Sequence, residues 1–236
     1  MKIKIIALIT SCLFIVASII GLITKNNYSN INLEETTLLN FHVALASEKN
    51  IEPQCEFILE SIYSENSNTY IEEDFQVNII LRVEPIEDMD FIFMDTIQEV
   101  KVLEVYKGDN IIEGDVIKIT SSSGSISLNY DRTSEYINIV NMGFINELEI
   151  GEEYLVLLNG KVETIDQEIV YEAPSFLVTP FFSYSDTENS LPELENNSDS
   201  YVAYSKVSQN EFFVQNENAL NMLNELKTEL IQMYPN

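Results

Sequence analysis

The stretch Leu148-Glu149-Ile150-Gly151-Glu152-Glu153-Tyr154-Leu155-Val156-Leu157-Leu158 decides the fold. A glycine-containing acidic lead gives way at Tyr154 to five apolar residues in a row. So short a run, bounded by turn chemistry, reads as a strand buried on both faces. Asn159-Gly160 comes next, the favoured pair for a two-residue hairpin turn. Further strands are therefore expected from Ile165 to Tyr171 and from Phe176 to Tyr184, with Pro174 and Pro180 at element ends.

Working back from this run, the signal stays β. Phe75, Val77, Ile79, Leu81 and Val83 alternate with Gln76, Asn78 and Arg82, the period of a half-buried strand, and Pro85 ends it. Thr96 to Tyr106 is a second strand. Its apolar parity changes from Val100 and Val102 to Leu103 and Val105, which predicts a bulge near Leu103. Lys107-Gly108-Asp109-Asn110 is turn chemistry, and Val116 to Thr120 is the returning strand. Ser121 to Ser125 reads as a loop without the strand–Gly-x-Ser-x-Gly–helix setting of a nucleophile elbow. Short strands at this spacing from about Cys55 to Tyr184, with no helices between them, predict a mainly β domain, an antiparallel barrel or sandwich. Val77, Ile79, Val105, Ile117, Leu155 and Leu157 are its expected core.

Three segments taken together carry a family resemblance: Val102-Leu103-Glu104-Val105-Tyr106-Lys107-Gly108-Asp109, Glu113-Gly114-Asp115-Val116-Ile117-Lys118-Ile119, and Leu148 through Gly151-Glu152-Glu153 to Leu158. They resemble a set of uncharacterised extracytoplasmic β-domains of Gram-positive bacteria. The resemblance implies an OB-like barrel similar to the netrin-like, tissue-inhibitor-of-metalloproteinases fold. It does not carry inhibition across. Those inhibitors present a disulfide-linked cysteine at the mature N-terminus to a zinc ion, whereas Cys55 is internal and has no exported partner. Cys55 reads as a small buried hydrophobe.

The ends of the chain differ from this middle. Ile5 to Thr24 is a charge-free run of twenty residues between Lys4 and Lys25. As a helix it spans about 30 Å, the thickness of a bilayer's hydrocarbon core. An uncleaved anchor is expected; a cleaved signal peptide and a lipobox at Ile9-Thr10-Ser11-Cys12, with Cys12 lipidated, are the alternatives. Lys2 and Lys4 before the span place the N-terminus inside and the remainder outside. The organisation expected is an anchor or signal segment at 1–25, a tether and short helix at 26–50, the β-barrel domain at 51–184, an acidic loop at 185–200 and a C-terminal extension with a helix at 201–236. The short helix is Leu38 to Leu45. In the C-terminal helix Ala219, Leu223, Leu226, Leu230 and Met233 form one apolar stripe from about Asn218 to Tyr234, expected to pack on its own domain.

Charge narrows the function classes. The chain has 12 Lys and Arg against 39 Asp and Glu, a net −27. Beyond Lys25 nine basic residues face all 39 acids, a formal −30. Nucleic-acid binding draws its affinity from cations on phosphates, so no nucleic-acid partner is expected. The single histidine, His42, reads as a packing residue, because metal sites need several donors. Glu72-Glu73-Asp74 and Asp88, Asp90 and Asp95 could serve a carboxylate-dependent envelope hydrolase. Asp88-Met89-Asp90 and Asp109 to Asp115 offer oxygens for calcium, though neither has the D-x-D-x-D-G loop. With so many acids such clusters arise by chance. The sequence therefore favours a non-catalytic, membrane-tethered extracytoplasmic module that binds a protein or cell-envelope ligand. No catalytic residue, cofactor or metal ligand is assigned.

Overall fold

Tyr154–Leu158 is a strand whose every residue is buried. The computed structural model that shows this describes residues 17–18, 41–63, 72–92, 95–122, 125–130, 137–143, 145–163, 169–193 and 201–236. In chain order the elements are β1 (Phe41–Ala44), α1 (Glu48–Tyr63), β2 (Ile79–Pro85), β3 (Asp90–Ile92), β4 (Asp95–Lys107), β5 (Val116–Ser122), β6 (Ser125–Tyr130), β7 (Ile137–Met142), β8 (Tyr154–Leu158), β9 (Gly160–Glu163), β10 (Ile169–Glu172), β11 (Phe181–Ser183), β12 (Tyr201–Ala203) and α2 (Glu217–Met233). The described chain is mainly β, with two sheets and these two helices.

The larger sheet runs β11-β8-β2-β4-β5-β10-β9, with β3 paired to β4, and the smaller runs β12-β1-β7-β6. Among the described residues no ladder joins β11 to β9, so the larger sheet is open rather than a closed barrel. Nor is it purely antiparallel, since β10 lies parallel to β5 and β1 parallel to β7. The β9–β10 hairpin lays β10 along the side of β5 that faces away from β4, and the direction of that return sets the parallel pair.

β8 sits between β2 and β11 and serves two cores. Leu155 and Leu157 pack with Phe182, Phe212, Leu223 and Leu230 beneath the helices. Val156 and Leu158 face the other way, onto Val83, Val102 and Ile119. Of the expected core, Val77, Ile79, Ile117, Leu155 and Leu157 are buried and Val105 is half-buried.

The expected bulge is present. Arg82 faces Glu104 and Val83 faces Val102, which leaves Leu103 unopposed, and a second shift leaves Tyr106 unopposed between Val105 and Lys107. β4 and β5 pair as expected, from Asp95 opposite Ser122 to Lys101 opposite Val116. Their connection needs glycine at Gly108, where φ is +130° and a Cβ would lie 3.2 Å from the Ile79 side chain.

Four local expectations are corrected. Asn159-Gly160 is not a hairpin turn: Gly160 lacks the positive φ that a type I′ turn demands, and the chain runs on from β8 into β9. Asn159 is held there by its N–H on the Glu172 carbonyl at 2.8 Å and by its side-chain amide on the Glu73 carbonyl. The hairpin forms one strand later, between β9 and β10. In the apolar segment from Leu38 to Leu45, residues Phe41–Ala44 form β1 rather than a helix; four residues are too few to separate the two periods, and slots beside β7 and β12 decide it. Cys55 lies in α1 rather than at the start of the β region. Ile51, Cys55, Ile58 and Ile62 recur at helical spacing there, with Pro53 inside the first two turns. Finally, Ser121 and Ser122 end β5 and Ser125 begins β6, where a loop was expected.

The C-terminal helix agrees with its stripe. Ala219, Leu223, Leu226 and Leu230 are buried against the sheet and α1, and the Asn216 side chain caps the helix by accepting from the Ala219 N–H at 2.9 Å. The expected anchor at Ile5 to Thr24 lies outside the described residues apart from Ala17 and Ser18, which are helical. No helix among the described residues is long and apolar enough to cross a membrane. Most of the tether, residues 194–200 of the acidic loop, and the 165–168 part of the expected strand also lie outside them.

Candidate functional site: an acidic cleft

Four segments, none of them an interior strand position, enclose a cleft of about 1420 Å³. The β2–β3 connection contributes Asp88 and the first residue of β3 is Asp90, while the lead into β8 contributes Glu147, Glu149 and Glu152. Asp186 and Glu188 follow β11, and Glu211 precedes α2. These are eight acids, and no Lys, Arg or His lines the cleft among the described residues.

The cleft is held by neutral polar side chains, Gln98 and Asn210 buried and Asn146 half-buried. Gln98 of β4 donates to the carbonyls of Glu87 and Leu148, at 3.0 and 2.7 Å, and accepts from the Leu148 N–H at 3.1 Å. Two rim segments are thereby tied to the sheet. Asn146 donates to the carbonyls of Ser208 and Asn210 and accepts from the Tyr204 hydroxyl at 2.7 Å. Asn210, only 2% exposed, accepts from the Ser190 N–H and donates to the Ser190 carbonyl. Buried amides with both ends satisfied fix loops that would otherwise be free to move. Tyr154, the first residue of β8, turns its hydroxyl to accept from the Glu149 N–H at 3.0 Å. Burial, reinforced by the nearby carboxylates of Glu149, Glu211 and Glu152, pushes this phenol up to about 12.

One acid has a cation of its own. Glu211 and Lys227 form a 2.7 Å ion pair, with side chains only 7% and 13% exposed. Elsewhere Arg82 stands between Glu104 and Glu153, at 3.9 and 3.7 Å.

The sequence-derived candidates scatter. Asp88 and Asp90 reach the cleft rim, where the Met89 N–H between them donates to Glu147 at 2.8 Å. Asp95 lies at the start of β4, opposite Ser122, and its side chain is outside the description. Glu72, Glu73 and Asp74 lie at a 3-10 turn just before β2, and Asp109 to Asp115 lie in the β4–β5 connection; neither group lines the cleft. The Asp115 carboxylate closes its own turn by accepting from the Ile112 N–H at 3.0 Å. Ser121 is buried with its hydroxyl 2.8 Å from that of Thr96, a cross-strand pair. His42 stacks edge-on against Tyr201, with ring centroids 5.4 Å apart. Among the described residues no group of three or more His, Cys, Asp and Glu could hold a metal ion.

Glu149 and Glu152 read in the sequence only as the acidic lead into β8, and Asp186 and Glu188 only as part of the acidic loop; nothing local marks Glu147 or Glu211 as cleft residues. The convergence of this lead with residues some 60 positions later depends on Asn146 and Asn210, whose pairing carries no local signal. No protein-family model matches the chain, and no curated protein matches it.

Proposed function

We propose that this chain is a membrane-tethered, extracytoplasmic, non-catalytic binding module whose ligand face is the acidic cleft and whose ligand there is cationic. The observation that carries this is the one-signed lining: eight carboxylates and, among the described residues, no Lys, Arg or His. A concave site lined by one sign of charge focuses its field outward, attracts ligands of the opposite sign and repels phosphates. The tether belongs to the same reading and rests on the charge-free run from Ile5 to Thr24 with Lys2 and Lys4 before it. So does kinship with OB-like extracytoplasmic domains, which rests on the Lys107-Gly108-Asp109 hairpin and the central strand at Tyr154 to Leu158.

The test is titration of the full chain with oligolysine and oligoglutamate peptides. Saturable oligolysine binding is expected, weakened by salt and by the double substitution Glu147→Gln with Glu149→Gln, with no binding of oligoglutamate. Equal binding of both peptides, or none of oligolysine, contradicts the reading. Turnover of a peptide, ester or glycan substrate that alanine at Glu72, Asp74, Asp88 or Asp90 abolishes overturns its non-catalytic part.

A further inference from the structure

Lys227 does not line the cleft. It projects from α2 behind the cleft wall, and its ammonium donates to Glu211 Oε2 at 2.7 Å and to the Ser185 carbonyl at 2.9 Å. These two acceptors belong to different wall segments, one following β11 and one preceding α2. Glu211 uses its other oxygen to accept from the Ser183 N–H at 2.9 Å. The Ser185 hydroxyl in turn reaches Glu152 Oε2 at 2.5 Å, on a third side of the cleft. A single cation on a helix thus fastens the wall at two points and bears on a third.

The seat of that helix is fixed elsewhere. Its apolar stripe lies in the core beneath the sheet. Past its end, the Tyr184 and Tyr106 hydroxyls donate to the carbonyls of Tyr234 and Pro235, at 2.7 and 2.5 Å. Burial raises the pKa of the Tyr184 phenol, which keeps it a donor.

We propose that α2 is the control element of the cleft: through Lys227 its position sets the spacing of the wall segments, so displacement of α2 opens the ligand site. This rests on the cleft being the ligand face. Two effects of removing the lysine charge have opposite signs. With the wall intact, the cleft gains a net negative charge and holds a polycation more tightly. With the wall dependent on Lys227, Glu211 is left buried without its cation, turns toward water, lets go of Ser183 and spoils the site.

The experiment measures oligolysine affinity and amide exchange in the full chain, in wild type, Lys227→Met and Lys227→Arg. Lys227→Met is expected to bind about tenfold more weakly, within the usual range of coupling between sites. Exchange at the Ser183 and Ser185 amides should quicken while β4–β5 amides keep their protection, and Lys227→Arg should restore most of both. Unchanged or tighter binding by Lys227→Met overturns the proposal. If wild type binds no oligolysine, the cationic-ligand reading fails and the exchange pattern alone decides the coupling. If Lys227→Met does not fold, wild-type exchange in sub-denaturing urea decides it: wall amides should open together with those of α2, and separate opening overturns the proposal.

Discussion

Leu155 and Leu157 have no exposed surface, although they are only two residues apart on a five-residue strand. Both point into the core that seats the helices, among Phe182, Phe212, Leu223 and Leu230. Either one truncated to alanine should cost about 2–5 kcal/mol, the transfer loss plus the cavity left by a partner set held on two elements. Denaturant unfolding measures this, and a loss below about 1 kcal/mol would show the strand to be peripheral. Cys55 gives a pH-dependent expectation at the same scale. Partial burial on the inner side of α1 pushes its thiol from an ordinary 9.0 up to about 11. The folded chain therefore keeps the proton in a range where the unfolded chain has lost it. That contribution to stability is intact below about pH 9 and is lost as pH rises toward 11. Cys55→Ala should flatten the fall in stability over this window, and identical alkaline slopes for the two proteins would contradict the assignment.

Among the elements, α2 depends most visibly on its own sequence. Asn216 takes an extended conformation and its side chain accepts from the Ala219 N–H, so Asn216→Ala should cost about 1 kcal/mol, within the usual range for a lost cap. Thermal unfolding reads this directly; an unchanged melting temperature would mean that packing alone defines the helix start. α2 and β8 were legible in the sequence for one reason. Each has an apolar pattern long or dense enough to exclude the other period. The Leu103 bulge was legible because a change of parity has few other causes. α1 carried a comparable stripe at Ile51, Cys55, Ile58 and Ile62, but Pro53 and flanking acids masked it. β1 and the run through Asn159-Gly160 were not legible, because both depend on which distant strand is free to pair. The cleft was legible only at Asp88 and Asp90. Its remaining acids are brought in by the side-chain amides of Gln98, Asn146 and Asn210, whose partners lie up to 64 residues away.

For the whole molecule, charge and topology belong together. In the proposed topology the formal −30 beyond Lys25 is repelled by anionic headgroups, which leaves the N-terminal run as the proposed membrane attachment. Protease added to intact protoplasts that express the full chain should remove the domain, and complete protection would contradict the orientation. If the acidic cleft, rather than acidity in general, is the ligand face, amide hydrogen exchange of the full chain with and without saturating oligolysine shows it. New protection is expected at residues 88–90, 145–152, 185–190 and 208–211 and nowhere else. Protection that instead falls on Glu72 to Asp74 or on Asp109 to Asp115, or that spreads evenly over the acidic surface, would contradict it.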